Sequence, residues 1–541
     1  MEIIKSIAKY FFSIYQITKF NLKVAYFKTN FYNRKISKEK LDKFIYKPSP
    51  HILGSLLPFN KKIKIENLAV NSIWDLDSKE NSEFRKLHSF FWLLVLDMKT
   101  EKKIAQSIIE NWIDKNKNFN QATWKLNILS KRLIAWLSYT YLSFEDSNIK
   151  YKEKLILNIT KQTNHLLNNI NILESNTEKL LCNLALILVG IVFKDQKKIY
   201  DHSLTLLEKF IKDQFDESGF PKSRNLDELV INFKYLIIIR EWLKESQNKI
   251  PEYLDEIILN CGNSFNFFSK NLNQLPLFNG SSGLNNTEFK EYLKQFEYNF
   301  SEKNNEKFGY TLLSDKKIIL VMDVGNSPET KFSKNYQAGC LSFEITSNNE
   351  KIFCNSGLGI NQSDKIKLIS KSTAAHSTLY LNNKSSCSFK MNQLIKNGLK
   401  IINKEITSEK DYFKILASHN GYQKNYGYIH ERIIKFIKKD KSFFGKDNLF
   451  KKKNAKNCNF VVRFHIFPGI KTAKTQDAHT VLLSLNNGEG WKFTCKNFKI
   501  MIEKGIFLGN KNKIVENENI CISSLTNLKD IEIDWNLIKV S

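Results

Sequence analysis

The feature that most restricts this chain is a change in the period of its apolar residues near residue 300. From about 85 to 270 they recur at helical spacing. Leu126, Leu129, Leu133, Trp136 and Leu137 make one stripe, and Leu204, Leu207, Phe210 and Ile211 another. Successive stripes of this kind, joined by short polar breaks such as "FEDSN" and "FKDQKK", predict helical hairpins. Beyond about 300 the period is two. "KIILVMDVG", "CLSFEITS", "KIFCNSG", "TLYLNN", "FVVRFHIFPGI", "TVLLSL" and "FKIMIEKGIFLG" are β-rich runs parted by Asn, Gly, Ser and Lys turns, which predicts stacked antiparallel sheets. In "FVVRFHIF" alternation puts Val461, Arg463 and His465 on one face and Val462, Phe464 and Ile466 on the other. A chain of 541 residues exceeds one ordinary core. The expectation is an α+β two-domain protein: a helical domain over 61–300 and an antiparallel β-sandwich over 301–541, preceded by a basic amphipathic segment at 1–60. "NQLPLFNGSSGLNNTEFKEY" (273–292) reads as a linker or cleft loop, and "IKKDKSFFGKDNLFKKKNAK" (437–456) as a solvated loop.

Charge narrows the partners. A net +28 attracts polyanions, although Lys, Asn and Ile are heavy everywhere, so compositional drift accounts for the excess equally well. Nucleic acid is not an expected partner, because no stacking-aromatic or groove-reading motif accompanies the charge. The eight cysteines are scattered without a CxxC pair, which predicts buried free thiols instead of a zinc cage or redox couple. "LLCNLALILVGIVF" (180–193) is shorter than the roughly 20 residues a membrane span needs and predicts a core helix. The N-terminus, "MEIIKSIAKYFFSIYQITKFNLKVAYFK", has no clean apolar stretch and no small-residue cleavage site, so it makes a poor signal peptide. It has instead the pattern of a helix lying on a membrane surface, a peripheral contact.

The motifs "WKLNILSKRLIAWLSY" (124–139), "GFPKSRNLDELV" (219–230), "LPLFNGSSG" (275–283), "GYTLL" (309–313), "AGCLSFEI" (338–345), "STAAHSTLYL" (372–381), "SHNGYQKNYGYIHER" (418–432) and "VVRFHIFPG" (461–469) follow in order. Together they resemble the heparinase II/III family of polysaccharide lyases over nearly the whole chain. The resemblance implies an incomplete α/α toroid followed by an antiparallel β-sandwich, and eliminative cleavage of a uronate-containing acidic polysaccharide. It also implies a cell-envelope or periplasmic location, with a cytoplasmic one as the alternative that the missing signal peptide leaves.

Elimination at a uronate requires a group to neutralise the carboxylate, a base to take the adjacent proton, and an acid for the leaving oxygen. Family members supply an Asn-His pair on a helix, a Tyr after a Ser-Pro element, and two sandwich histidines. The second of these, with an Asp and the His of an "AAHNT" motif, holds a structural zinc. Carried over by position, the Asn-His pair falls on Glu178 and Lys179, and the Ser-Pro-x-Tyr element on Ser223, Arg224, Asn225 and Leu226. The sandwich histidines fall on Asn335 and Gln337, the metal Asp on Asn355, and the metal His on His376. Only His376 matches. Gln337, Asn355 and His376 are a poor set for zinc and suit a neutral hydrogen-bond network, so no metal or other cofactor is expected. The candidate catalytic residues are therefore His376, Tyr310 and Arg224, with Lys179, Asn335, Gln337, His419 and Tyr422 for substrate binding. Each has a plainer reading: an ion pair for Arg224, a core-edge ring for Tyr310, and structurally bonded imidazoles for His419, His430 and His465. The rival to a lyase is a non-catalytic glycan-binding or envelope-biogenesis protein on the same scaffold.

Overall fold

The computed structural model describes residues 2–38, 41, 43–56, 74, 82–96, 102–302, 304–359, 362–510 and 513–540. They form two compact units, Met1–Asp213 with Ile231–Glu256, and Gln214–Val230 with Ile257–Ser541. The border expected between 60 and 61 lies outside the described residues. The division also departs from the border expected at 300, because periodicity reports the apolar face of an element and not the core that it joins.

The first unit is helical. Asn148 caps Ile149–Asn169 by accepting the Tyr151 N–H at 2.8 Å, and Ser175 caps Asn176–Val192 by accepting that of Glu178. The apolar run at 180–193 is this second helix, buried along most of its length and packed on Leu126–Ser138. Among the described residues no helix is long and apolar enough to cross a membrane. Arg132, in the first motif, is completely buried. Its Nε donates to Gln162 at 2.9 Å, its Nη1 donates to the carbonyls of His88 and Thr123, and the guanidinium lies 4.1 Å from the Trp112 ring centroid. Carbonyls and an aromatic face are what a buried cation needs when no carboxylate is at hand.

The second unit is built on a nine-stranded and an eight-stranded antiparallel sheet. Between them pack Phe343, Phe353 and Phe464 against Phe493, Trp535 and Leu537, with Phe343 stacked 5.6 Å from Trp535. In the strand Asn459–Ile466, Val462, Phe464 and Ile466 face this core as alternation requires. Arg463 and His465 face away and pair in register with Cys521 and Asn519. The stretch 437–456 is not a solvated loop. Half of it is the strand Ser442–Lys451, paired on both sides with Tyr428–Ile437 and Ile531–Lys539. Phe443, Asp447 and Leu449 point inward while Phe444, Lys446 and Phe450 point out, so the lysines of its solvent face and flanks mask the alternation. All eight cysteines are free and buried.

Candidate functional site

The segment that should carry the family tyrosine holds Arg224 instead, at φ 62°, a left-handed conformation costly for a residue with a Cβ. The contacts around it explain why it persists. Arg224 Nη2 donates to Asp323 Oδ1 at 2.7 Å and to the Gly309 carbonyl at 3.0 Å, and Nη1 donates to the Asn326 carbonyl at 3.1 Å. Gly325 is required by this approach, since a Cβ there would stand 2.4 Å from Nη2. The Tyr310 hydroxyl donates to the Arg224 carbonyl at 2.6 Å and accepts from Asn279 Nδ2 at 2.5 Å, and its ring centroid lies 4.6 Å from the guanidinium. Asn279 also donates to Asp323. Burial works against the Arg224 charge, but the Asp323 carboxylate together with Tyr310 and Tyr336 outweighs it and the proton is held more tightly than usual. Burial raises the Tyr310 pKa.

Arg224 and Tyr310 are thus brought together as expected, but as a closed interior frame with Asp323 and Asn279. Either would reach a substrate only if the ion pair opened. The stretch at 273–292 is part of this frame and not a free linker: Asn279 completes the ring, and Ser281 and Ser282 donate to Asp227.

On this frame sits a more accessible group that the motif comparison passed over. Asn225 caps the helix Leu226–Glu245 by accepting the Glu228 N–H at 2.9 Å, and its Nδ2 donates to the Asn279 carbonyl. Glu228 is half-buried and accepts from Ser223 Oγ at 2.5 Å and from the side chain of Asn335. Its pKa is raised, chiefly by burial; the Ser223 bond opposes this, the Asp227 charge adds to it, and the Asn335 bond opposes it. Asn335 is also half-buried, and Gly280, at φ 89°, lets it close on the Asn225 side chain. A carboxyl with a raised pKa beside a hydroxyl and an amide can exchange a proton with a bound sugar. The legible signal was the spacing of Asn225 and Glu228, that of a helix-capping pair.

The other candidates lie elsewhere. Gln337 is fully buried; its Oε1 accepts the Gly280 N–H at 2.9 Å and its Nε2 donates to the carbonyls of Ser370 and Gly357. Asn355 Oδ1 accepts the Ser377 N–H at 3.0 Å. His376 follows the turn Thr373–Ala375, its ring so close to Gly339 that a Cβ there would stand 2.4 Å from Cδ2. Its Nδ1 is 2.8 Å from the Ser372 carbonyl, which places the proton on Nδ1 and leaves a buried Nε2 lone pair with no protein partner. Burial brings its pKa down to about 4, against which the Ser372 bond acts. The three side chains therefore do not close into one network: each amide oxygen is engaged by a backbone N–H. Among the described residues His376 Nε2 has no hydrogen-bond partner, and one imidazole nitrogen with two neutral amides is a donor set that does not fit zinc.

His419 and Tyr422 are interior, not substrate-facing. His419 Nδ1 accepts the Gly421 N–H, so its Nε2 faces His430 Nδ1 as donor at 3.4 Å, and His430 Nε2 donates to Asp447 at 2.8 Å. Arg432 grips Asp447 with Nε and Nη2 at 2.8 and 3.0 Å, and its Nη1 donates to the carbonyls of Leu341 and Ser377. Tyr422 donates to the Leu379 carbonyl. The motif at 418–432 thus acts as a brace holding "STAAHSTLYL" from behind. Lys179 lies in the first unit, half-buried near the start of Asn176–Val192.

The fold is therefore that of a helical toroid followed by an antiparallel sandwich, with a polar site in which an Arg–Asp frame supports a glutamate. Residues 301–536 match the family described as Heparinase II/III-like, C-terminal, so the second half of the chain carries a domain of that family. Among solved structures the chain is similar to a heparinase III, with 15% identity and a TM-score of 0.67, covering 96% of this chain and 89% of the other. It is similar as well to the heparan sulfate lyase HepC from Pedobacter heparinus, with 15% identity and a TM-score of 0.62 over 86% of this chain and 78% of that one. No curated protein sequence matches the chain.

Proposed function

We propose that this protein cleaves a uronate-containing acidic polysaccharide by β-elimination, through a site rebuilt around Glu228. The observation that carries the reading is the half-buried Glu228 carboxyl, held between Ser223 and Asn335 where the family places its catalytic tyrosine and histidine. Asn335 would pair with the substrate carboxyl group and stabilise the charge that develops on it. Glu228 would take the proton beside that carboxyl group; the bond to the glycosidic oxygen breaks as the carbon–carbon double bond forms. The same carboxyl group, now protonated, returns its proton to the leaving oxygen.

The test is the absorbance of the unsaturated product across a panel of uronate polysaccharides. Product is expected from at least one of them, and Glu228→Gln is expected to lower the rate about 10²–10⁴-fold while polysaccharide binding persists. Binding without product across the panel would favour the second reading, a glycan-binding or envelope-biogenesis protein. The observation behind that reading is that the family's tyrosine and histidine positions hold Leu226, Asn335 and Gln337, with Gln337 and the neighbouring Arg224 engaged internally. The family resemblance supports a cell-envelope or periplasmic location for either role, with a cytoplasmic one as the alternative.

We also propose that no zinc is held at Gln337, Asn355 and His376. Metal analysis of the purified protein is expected to find zinc well below one equivalent, and a chelator should leave the melting temperature unchanged. Stoichiometric zinc lost together with thermal stability would overturn this.

A further inference from the structure

The second unit carries another polar recess, of about 400 Å³, on the face of the nine-stranded sheet turned away from the core. In the strand Phe343–Ser347, Phe343 and Ile345 pack inward, so alternation turns Glu344 and Thr346 outward. Lys351 pairs in register with Thr346, and its Nζ donates to Glu344 at 2.7 Å and to the Leu275 carbonyl at 3.5 Å. Thr346 is 7% exposed and lines the recess, yet its hydroxyl has no hydrogen-bond partner among the described residues. A hydroxyl so buried and unpaired calls for a partner.

Around it stand five exposed side-chain amides, Asn273, Gln274, Asn285, Asn349 and Asn486. Asn and Gln are 74 of the 541 residues but five of the eleven that line this recess, so composition alone does not put them there. Their backbones are held in place. Asn349 takes a left-handed turn at φ 65°, and Gln274 and Asn285 face each other in a backbone bridge. Asn285 Oδ1 accepts the Thr287 N–H at 2.8 Å, while Asn486 lies against Gly469. None of the five amide nitrogens has a protein partner among the described residues. Phe467, braced at 73° against Phe507, adds an apolar surface.

Charge narrows the ligand. Lys351 is engaged by Glu344, and the remaining charged group, Glu350, is an acid that accepts the Asn487 N–H. A carboxylate or sulfate would therefore meet an anion and no free cation. Amides that donate and accept in one plane, with a hydroxyl and an apolar surface between them, match the hydroxyl edge and C–H face of a pyranose ring. We infer that this recess is a second glycan site, which binds an uncharged sugar unit. The inference rests on this recess alone and is independent of the reaction at Glu228.

The test is titration of the full chain with cellotetraose, mannotetraose, maltotetraose and chitotetraose, followed by saturation-transfer NMR. At least one of these uncharged probes is expected to bind, with an affinity that added salt leaves unchanged. The double variant Asn273→Ala/Asn486→Ala should weaken that binding about tenfold or more, the loss of two hydrogen bonds. Both positions are exposed, so the variant should keep the wild-type melting temperature, which separates loss of binding from loss of folding. Binding of none of the four probes, binding that salt abolishes, or equal binding by the double variant would overturn the inference.

Discussion

Replacing Asp323 with alanine is expected to destabilise the second unit by about 3–5 kcal/mol, because it strands the Arg224 guanidinium in the interior without its counter-charge. Arg224 and Asp323 are 3% and 1% exposed, so water cannot take over the lost contacts. Tyr310, Asn279 and the left-handed backbone at Arg224 depend on the same pair. The turn through Arg224 that leads into the Glu228 helix should therefore loosen, and any activity or glycan binding should fall with stability. Urea unfolding measures the cost. The double variant Arg224→Met/Asp323→Leu separates charge from packing: with both charges gone, the loss should be clearly smaller than for Asp323→Ala alone. A single variant costing under about 1 kcal/mol would mean that the pair is solvated, and the frame would lose its role.

The second large effect is acid sensitivity. Six of the nine histidines are buried with lowered pKa values, all chiefly through desolvation. His88, His165 and His376 are brought down to about 4 and His465 to about 3. An unfolded histidine titrates near 6.5. Between about pH 6.5 and 4 the unfolded chain thus binds more protons than the folded one, and stability falls as pH falls. Each such group contributes about 1.4 kcal/mol per pH unit within that window. His88 and His165 lie in the helical unit and the other four in the sandwich unit, so both should weaken together. Asp447, held at about 2 chiefly by Arg432 and His430 against its burial, extends the loss below pH 4. The raised carboxyls of Glu228 and Asp216 act in the opposite sense but are fewer. Melting temperatures from pH 7.5 to 5 are expected to fall steeply, and a flat profile would mean that these imidazoles are solvated.

Much of the architecture was legible because period is a local property. The stripe through Leu126 and Trp136 and the alternation through Val462 and Phe464 both name the buried face without reference to the rest of the chain. The strand Ser442–Lys451 was hidden because its solvent side and flanks are crowded with lysine, which reads as a loop until the pairing on both edges is seen.

The site divides in the same way. Sequence alone determined the order of helices and sheets, the family histidine in "STAAHSTLYL", and the loss of the family tyrosine and histidines at 226, 335 and 337. Their replacements are chemically different residues, and residue type needs no coordinates. Only the tertiary structure decided what each replacement does. Arg224 meets a carboxylate ninety-nine positions away and becomes part of a frame. Gln337 and Asn355 accept backbone N–H groups, and His419 joins a brace to Asp447. Glu228, just past the expected tyrosine position at Leu226, is left half-buried beside Asn335. Whether a polar side chain is a tool or a strut depends on which partners the fold brings within hydrogen-bonding distance, and those partners are remote in sequence.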